Sequence, residues 1–143
     1  MGVRVLVITS RYYENIAREM EAGAIEVLEA AGAEITVKEV FGAFEIPAAV
    51  AMAADSDMYD AFVTVGCVIR GETSHYDYVC GESARGLMDI SVQRRIPLGL
   101  GILTVENQEQ AWVRADRKQK NKGADAAKAA LSMLEFRKDL LRG

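Results

Sequence analysis

The chain contains one histidine, His75, in the stretch IRGETSHYDYV at 69–79. Imidazole titrates near neutrality without special tuning, so His75 is the natural candidate for moving protons. Just ahead of it, Gly71, Glu72, Thr73 and Ser74 bring a glycine, two hydroxyls and several backbone N–H groups to what reads as a helix start. Orphan amides and the helix dipole make such a start a ready anion site. The plainer alternative is that Thr73 and Ser74 cap the helix and His75 is an ordinary polar residue in its first turn.

Two further segments carry residues of unusual type for their setting. In GAFEIP (42–47), Glu45 lies among apolar neighbours just ahead of Pro47. It is either a carboxylate that accepts hydrogen bonds from a polyhydroxylated ligand or a first-turn acid that favours the helix dipole. In SRYYE (10–14), Tyr12 and Tyr13 either stack on a planar ring or cover the edge of a sheet. Arg114 and Lys122 flank the run DRKQKN at 116–121. That run reads as a solvated charged face, yet an arginine fork is also the natural phosphate clamp. The phosphate-loop lysine motif, GxGxxG, GxSxG and a zinc-ligand cluster are all absent from the sequence.

The elements that must position these residues follow from periodicity. VRVLVI (3–8), ITVKEV (35–40), AFVTVGCVI (61–69) and LGLGILTV (98–105) read as strands. Between them, Ile16, Met20, Ala24, Val27 and Leu28 recur at helical spacing up to Gly32. A second helix follows Pro47, whose missing N–H costs nothing there, and a third runs from the His75 region to about Arg94. Helices over 107–115 and 122–141 finish the chain. Strands alternating with helices imply right-handed βαβ crossovers, hence an α/β fold: a three-layer α/β/α sandwich around a four-stranded parallel sheet. Ligands in such folds bind beyond the carboxyl ends of the strands, which selects Ser10–Glu14, Phe41–Ile46, Arg70–His75 and Thr104–Gln108.

Composition sets the outer bounds. At 143 residues the chain is expected to form one domain over its whole length, 1–143, with a core that needs no staples. A net charge of −4 argues against nucleic acid as the main partner, because phosphate backbones demand a basic surface. Cys67 and Cys80 lack metal-ligand or CxxC spacing and read as free thiols of a reducing compartment. The apolar start MGVRVLVITS is too short for a signal peptide or a membrane span, and no later segment reaches spanning length without charge. The expected setting is cytoplasmic, with no membrane partner.

These pieces, in this order, resemble the 6,7-dimethyl-8-ribityllumazine synthase family of riboflavin biosynthesis. The resemblance spans nearly the whole chain and rests on SRYYE (10–14), GAFEIP (42–47), GCVIRGETSHYDYV (66–79), LTVENQEQAWVRA (103–115) and NKGADAA (121–127). It implies a flavodoxin-like fold and the condensation of 5-amino-6-(D-ribitylamino)uracil with 3,4-dihydroxy-2-butanone 4-phosphate, with phosphate and water released. It implies neither a metal nor an organic cofactor. The family's ring-stacking aromatic falls on Tyr12, and its ribityl- and pyrimidine-binding turn on Ala43, Phe44 and Glu45. Its phosphate-binding helix start falls on Gly71, Glu72 and Thr73, with Arg114 as the cationic clamp. The proton-transfer histidine falls on His75 and the lysine near the pyrimidine on Lys122.

The chain departs from the family pattern in several places. Leu100 replaces an aromatic of the pocket, and Tyr13 stands where asparagine or serine is frequent. The loop often written GTKAG reads DRKQK (116–120), without either glycine. That loop accompanies icosahedral shells, so its loss implies a free homopentamer or a dimer of pentamers. The sequence begins directly at its first strand, and the N-terminal arm that many relatives carry is expected to be lacking. In the family, active sites lie between subunits, with Tyr12, Glu45 and His75 from one chain and Leu100, Arg114 and Lys122 from the next. The main rival is a non-catalytic paralogue that binds flavin or lumazine in the same pocket. A flavodoxin-like electron carrier lacks this histidine, arginine and lysine set and the GAFE turn.

Overall fold

The computed structural model describes residues 2–142; Met1 and Gly143, the ends of the expected domain, lie outside the described residues. Strand β1 (Arg4–Ser10) leads into helix α1 (Glu14–Ala30), followed by β2 (Glu34–Val40). A 3₁₀ turn (Ala43–Glu45) runs into α2 (Ile46–Asp55), then β3 (Ala61–Ile69) and α3 (His75–Arg94). The chain ends with β4 (Leu98–Gly99), β5 (Ile102–Val105), α4 (Gln108–Ala115) and α5 (Lys122–Leu141). Every strand pairing is parallel, in the order β2-β1-β3-β4, with β5 extending the pairing on β3. This is the flavodoxin-like, doubly wound arrangement.

Alternation along the central strands explains the three layers. Val5, Val7, Val63 and Val65 point to one face, where they meet Met20, Ala24 and Leu28 of α1, Ala111 and Ala115 of α4, and Ala127, Ala130 and Leu134 of α5. Leu6, Ile8 and Phe62 point to the other, against Ile46 and Val50 of α2 and Val79 and Leu87 of α3. A strand buried on both faces has no polar position to spare, so β1 and β3 read as continuous apolar runs. Helix α1 stops where the sequence places its glycine: Gly32 adopts φ +76, a left-handed backbone that costs glycine nothing.

The fourth strand differs from expectation. The run 98–105 forms two short strands, so among the described residues the sheet has five strands rather than four. The break has a side-chain cause. The buried Thr64 hydroxyl donates to Gly99 O (3.2 Å) and accepts from Gly101 N (3.1 Å), replacing ladder bonds on both sides of Leu100. Gly99 and Gly101 also lie so close to the Ala126 carbonyl and the Thr64 carbonyl, respectively, that a Cβ at either position would collide with backbone. Leu100 is thereby turned outward and remains exposed.

Candidate active site

The carboxyl ends of β1, β2 and β3 open onto a cleft of about 410 Å³. Three loops build it. From the first, Tyr12 and Tyr13 meet edge to face, ring centres 5.1 Å apart, with Tyr12 largely exposed. The second contributes Phe41, Gly42, Ala43, Phe44 and Glu45. Its 3₁₀ turn is closed by Glu45 N donating to Gly42 O (3.1 Å), and Ser10 Oγ anchors it by donating to Phe41 O (3.3 Å). Pro47 at the start of α2 then commits the chain to a helix.

The third loop follows β3 and places Gly71, Thr73 and His75 on the opposite wall. His75 N donates to Thr73 Oγ1 (3.3 Å), so Thr73 makes a local turn at the helix entry. Ser74, at the capping position, makes no side-chain cap. The capping alternative therefore fails for Ser74, whose carbonyl instead accepts from Asp77 N (3.0 Å), while the side-chain contact at the start of α3 comes from Thr73. His75 is exposed, in the first turn of the helix.

The cleft floor comes from Cys67, Val68, Ile69, Tyr76 and Val79. Burial pushes the Cys67 thiol up to about 12, so it is a protonated, apolar-like floor residue and no nucleophile. Burial likewise raises the Tyr76 hydroxyl above its ordinary range. Arg70 is turned away from this lining. Its guanidinium lies 4.3 Å over the Tyr76 ring and pairs with Glu106 (2.9 Å) and Asp77 (3.5 Å). Among the described residues, no lysine or arginine lines the cleft.

Of the residues singled out from sequence, Tyr12, Ala43, Phe44, Glu45, Gly71, Thr73 and His75 come together here. Glu72 is exposed in the same loop but outside the lining, and Leu100, Arg114 and Lys122 stand on other elements. Arg114 is in the last turn of α4, where Nη1 donates to Gln110 O (3.1 Å). Lys122 opens α5 and lies 3.4 Å from Asp125. Leu100 sits at the break between β4 and β5. Phe41 fell within the segment Phe41–Ile46 selected by the strand-end rule but was given no role, and Cys67 was read only as a free thiol; Tyr76 was passed over, its one signal being that it directly follows His75.

A larger, shallower groove of about 780 Å³ runs along α1 and α4, lined by Glu14, Arg18, Glu19, Trp112 and Arg117 among others. Its charges are already matched, Arg18 to Glu14 (3.3 Å) and Arg117 to Glu19 (3.0 Å). It lacks the glycine turns and the histidine, which gather at the smaller cleft.

The family model described as 6,7-dimethyl-8-ribityllumazine synthase matches residues 2–138. A protein of that name from Methylobacterium radiotolerans is 58% identical over 137 residues, covering 96% of this chain and 84% of the relative. One from Methylorubrum extorquens is 56% identical over 142 residues, covering 96% and 82%. A Rhodopseudomonas palustris protein named 6,7-dimethyl-8-ribityllumazine synthase 1 is 51% identical over 146 residues, covering 99% and 90%. The matched span takes in the sheet, the three loops of the cleft and the elements that carry Arg114 and Lys122, and with it the chain belongs to the 6,7-dimethyl-8-ribityllumazine synthase family.

Proposed function

We propose that this chain condenses 5-amino-6-(D-ribitylamino)uracil with 3,4-dihydroxy-2-butanone 4-phosphate to 6,7-dimethyl-8-ribityllumazine, releasing phosphate and water. The names its relatives carry support the enzyme and do not favour a non-catalytic flavin- or lumazine-binding paralogue. Tyr12 stacks on the pyrimidine, while Ala43, Phe44 and Glu45 hold the ring and ribityl hydroxyls. Gly71, Glu72 and Thr73 receive the phosphate at the start of α3. The uracil amine attacks the ketone to give an imine, phosphate leaves, and the ring closes. His75 moves the protons these steps require. Phosphate is a good leaving group once its charge is held, so orientation of two bound substrates supplies most of the acceleration.

The observation that carries this reading is the division of the site. The cleft holds an aromatic ring, a carboxylate turn, a helix start and a histidine, yet no cation lines it. A phosphate leaving group needs one. Arg114 and Lys122 are on the same chain but belong to different elements, which supports their serving the cleft of an adjacent copy. We take the working unit to be a homopentamer in a single domain, 1–143, with sites between subunits. Leu100, Arg114 and Lys122 then face the neighbour's Tyr12, Glu45 and His75. The long α3 buries only Val79, Ser83 and Leu87 within its own chain and leaves Tyr78, Met88 and Val92 exposed, as a subunit contact requires. Among the described residues, no helix is long and apolar enough to cross a membrane.

The test is the appearance of lumazine absorbance when both substrates are mixed with the protein, run beside a flavin titration. Lumazine formation dependent on both substrates is expected. Tight flavin binding without turnover would overturn the enzyme in favour of the binder.

A further inference from the structure

The strand that delivers Tyr12 ends in polar residues that ought not to be buried. Thr9 and Ser10 are almost fully covered, and so is Glu21 on α1 at 5% exposure. Glu21 is not a stray charge. It accepts from Thr9 Oγ1 (2.7 Å) and from Arg11 through a two-pronged contact, Nε to Oε2 and Nη2 to Oε1, both 2.9 Å. The same guanidinium reaches Glu39 near the end of β2 at 3.5 Å. One arginine thus ties the end of β1 to α1 and to the strand that leads into the Phe41–Glu45 turn. Ser10 adds a second tie by donating to Phe41 O (3.3 Å).

A buried ion pair is a poor way to gain stability, because desolvation offsets most of its attraction. A fork against a carboxylate does fix geometry in a way that apolar packing does not. What needs fixing lies one residue on. Tyr12 is 69% exposed, touches Tyr13 only edge to face, and has little packing of its own to set its ring. Its orientation is inherited from the backbone at Arg11.

We propose that the Arg11–Glu21 pair is a positioning device for the pyrimidine and ribityl half of the cleft. It holds Tyr12 and the Phe41–Glu45 turn in register with each other and leaves the phosphate half, on the β3–α3 loop, untouched. The assignment rests on the enzyme reading given above. Its signature is a split between substrates that a purely structural pair would not produce.

The experiment measures lumazine formation with each substrate varied in turn, for the unsubstituted chain, Glu21→Gln and Arg11→Lys, with assembly checked by mass. In Glu21→Gln the KM for the ribitylaminouracil should rise about tenfold while that for the butanone phosphate moves by less than about twofold. Arg11→Lys keeps the charge and loses the fork, so it should show the same split at smaller size. If Glu21→Gln fails to assemble, Arg11→Lys decides alone. Both KM values unchanged, or both rising together, in a correctly assembled variant would overturn the positioning role while the enzyme reading stands. No lumazine from the unsubstituted chain would overturn the enzyme reading and this assignment with it.

Discussion

At the scale of residues, the cleft asks little covalent work of its side chains. His75 is exposed in the first turn of α3, and in the proposed reaction it helps reactants that other groups hold in place. His75→Ala should therefore keep its assembly and lower kcat by about a hundredfold, the modest end of what a positioned acid–base group contributes. Complete loss of lumazine formation would show instead that the histidine is indispensable. Glu21 offers a different check. Burial pushes its carboxyl upward, but the hydrogen bonds from Arg11 and Thr9, together with Arg11's charge, outweigh this and leave it below its ordinary value. A depressed carboxylate stabilises the fold above its unfolded-state pKa, and that stability is lost as pH falls through the folded value. Stability of the unsubstituted chain should consequently fall more steeply than that of Glu21→Gln as pH drops from neutral to about 3, read from denaturant midpoints across that range.

At the scale of elements, close approach sets the tolerances. The first turn of α5 lies against α1 so tightly that a Cβ on Gly123 would meet the Met20 carbonyl. Gly123→Ala should cost about 1–3 kcal/mol by overpacking, measured by denaturant unfolding. Gly81 on α3 has open space around it, and alanine there should add roughly 0.5–1 kcal/mol by restricting the unfolded chain. The elements were legible to the degree that one-dimensional pattern decides them. AFVTVGCVI reads as a strand and forms β3 over the same residues, because a strand buried on both faces admits only apolar or small side chains. The break at Leu100 was not legible. It depends on the hydroxyl of Thr64, distant in sequence, and LGLGILTV carries no mark of it. The loops of the cleft were legible from the rule that places ligands beyond strand ends. The expectation that Arg114 and Lys122 serve a neighbour's cleft came only from the family resemblance, since local pattern says which helix carries a cation but not which surface it serves.

At the scale of the whole molecule, one chain presents an incomplete chemistry and a conspicuous amount of apolar surface. Phe41, Tyr12, Phe44, Tyr78, Val92, Phe136 and Leu141 are all exposed. In the proposed homopentamer neighbouring copies cover part of this surface. Sedimentation should report a mass of five chains, and specific activity should fall on dilution in step with dissociation; full activity in a monomeric sample would refute the shared site. The separation of Arg114 from His75 carries one more consequence, which is genetic in form. In the proposed ring, His75→Ala and Arg114→Ala damage opposite sides of each junction, so mixing the two impaired proteins before assembly brings some undamaged sides face to face. In rings built at random from equal amounts, about a quarter of the junctions pair an intact histidine side with an intact arginine side. Two defective parents should then yield an active hybrid, whereas either variant reassembled alone remains impaired.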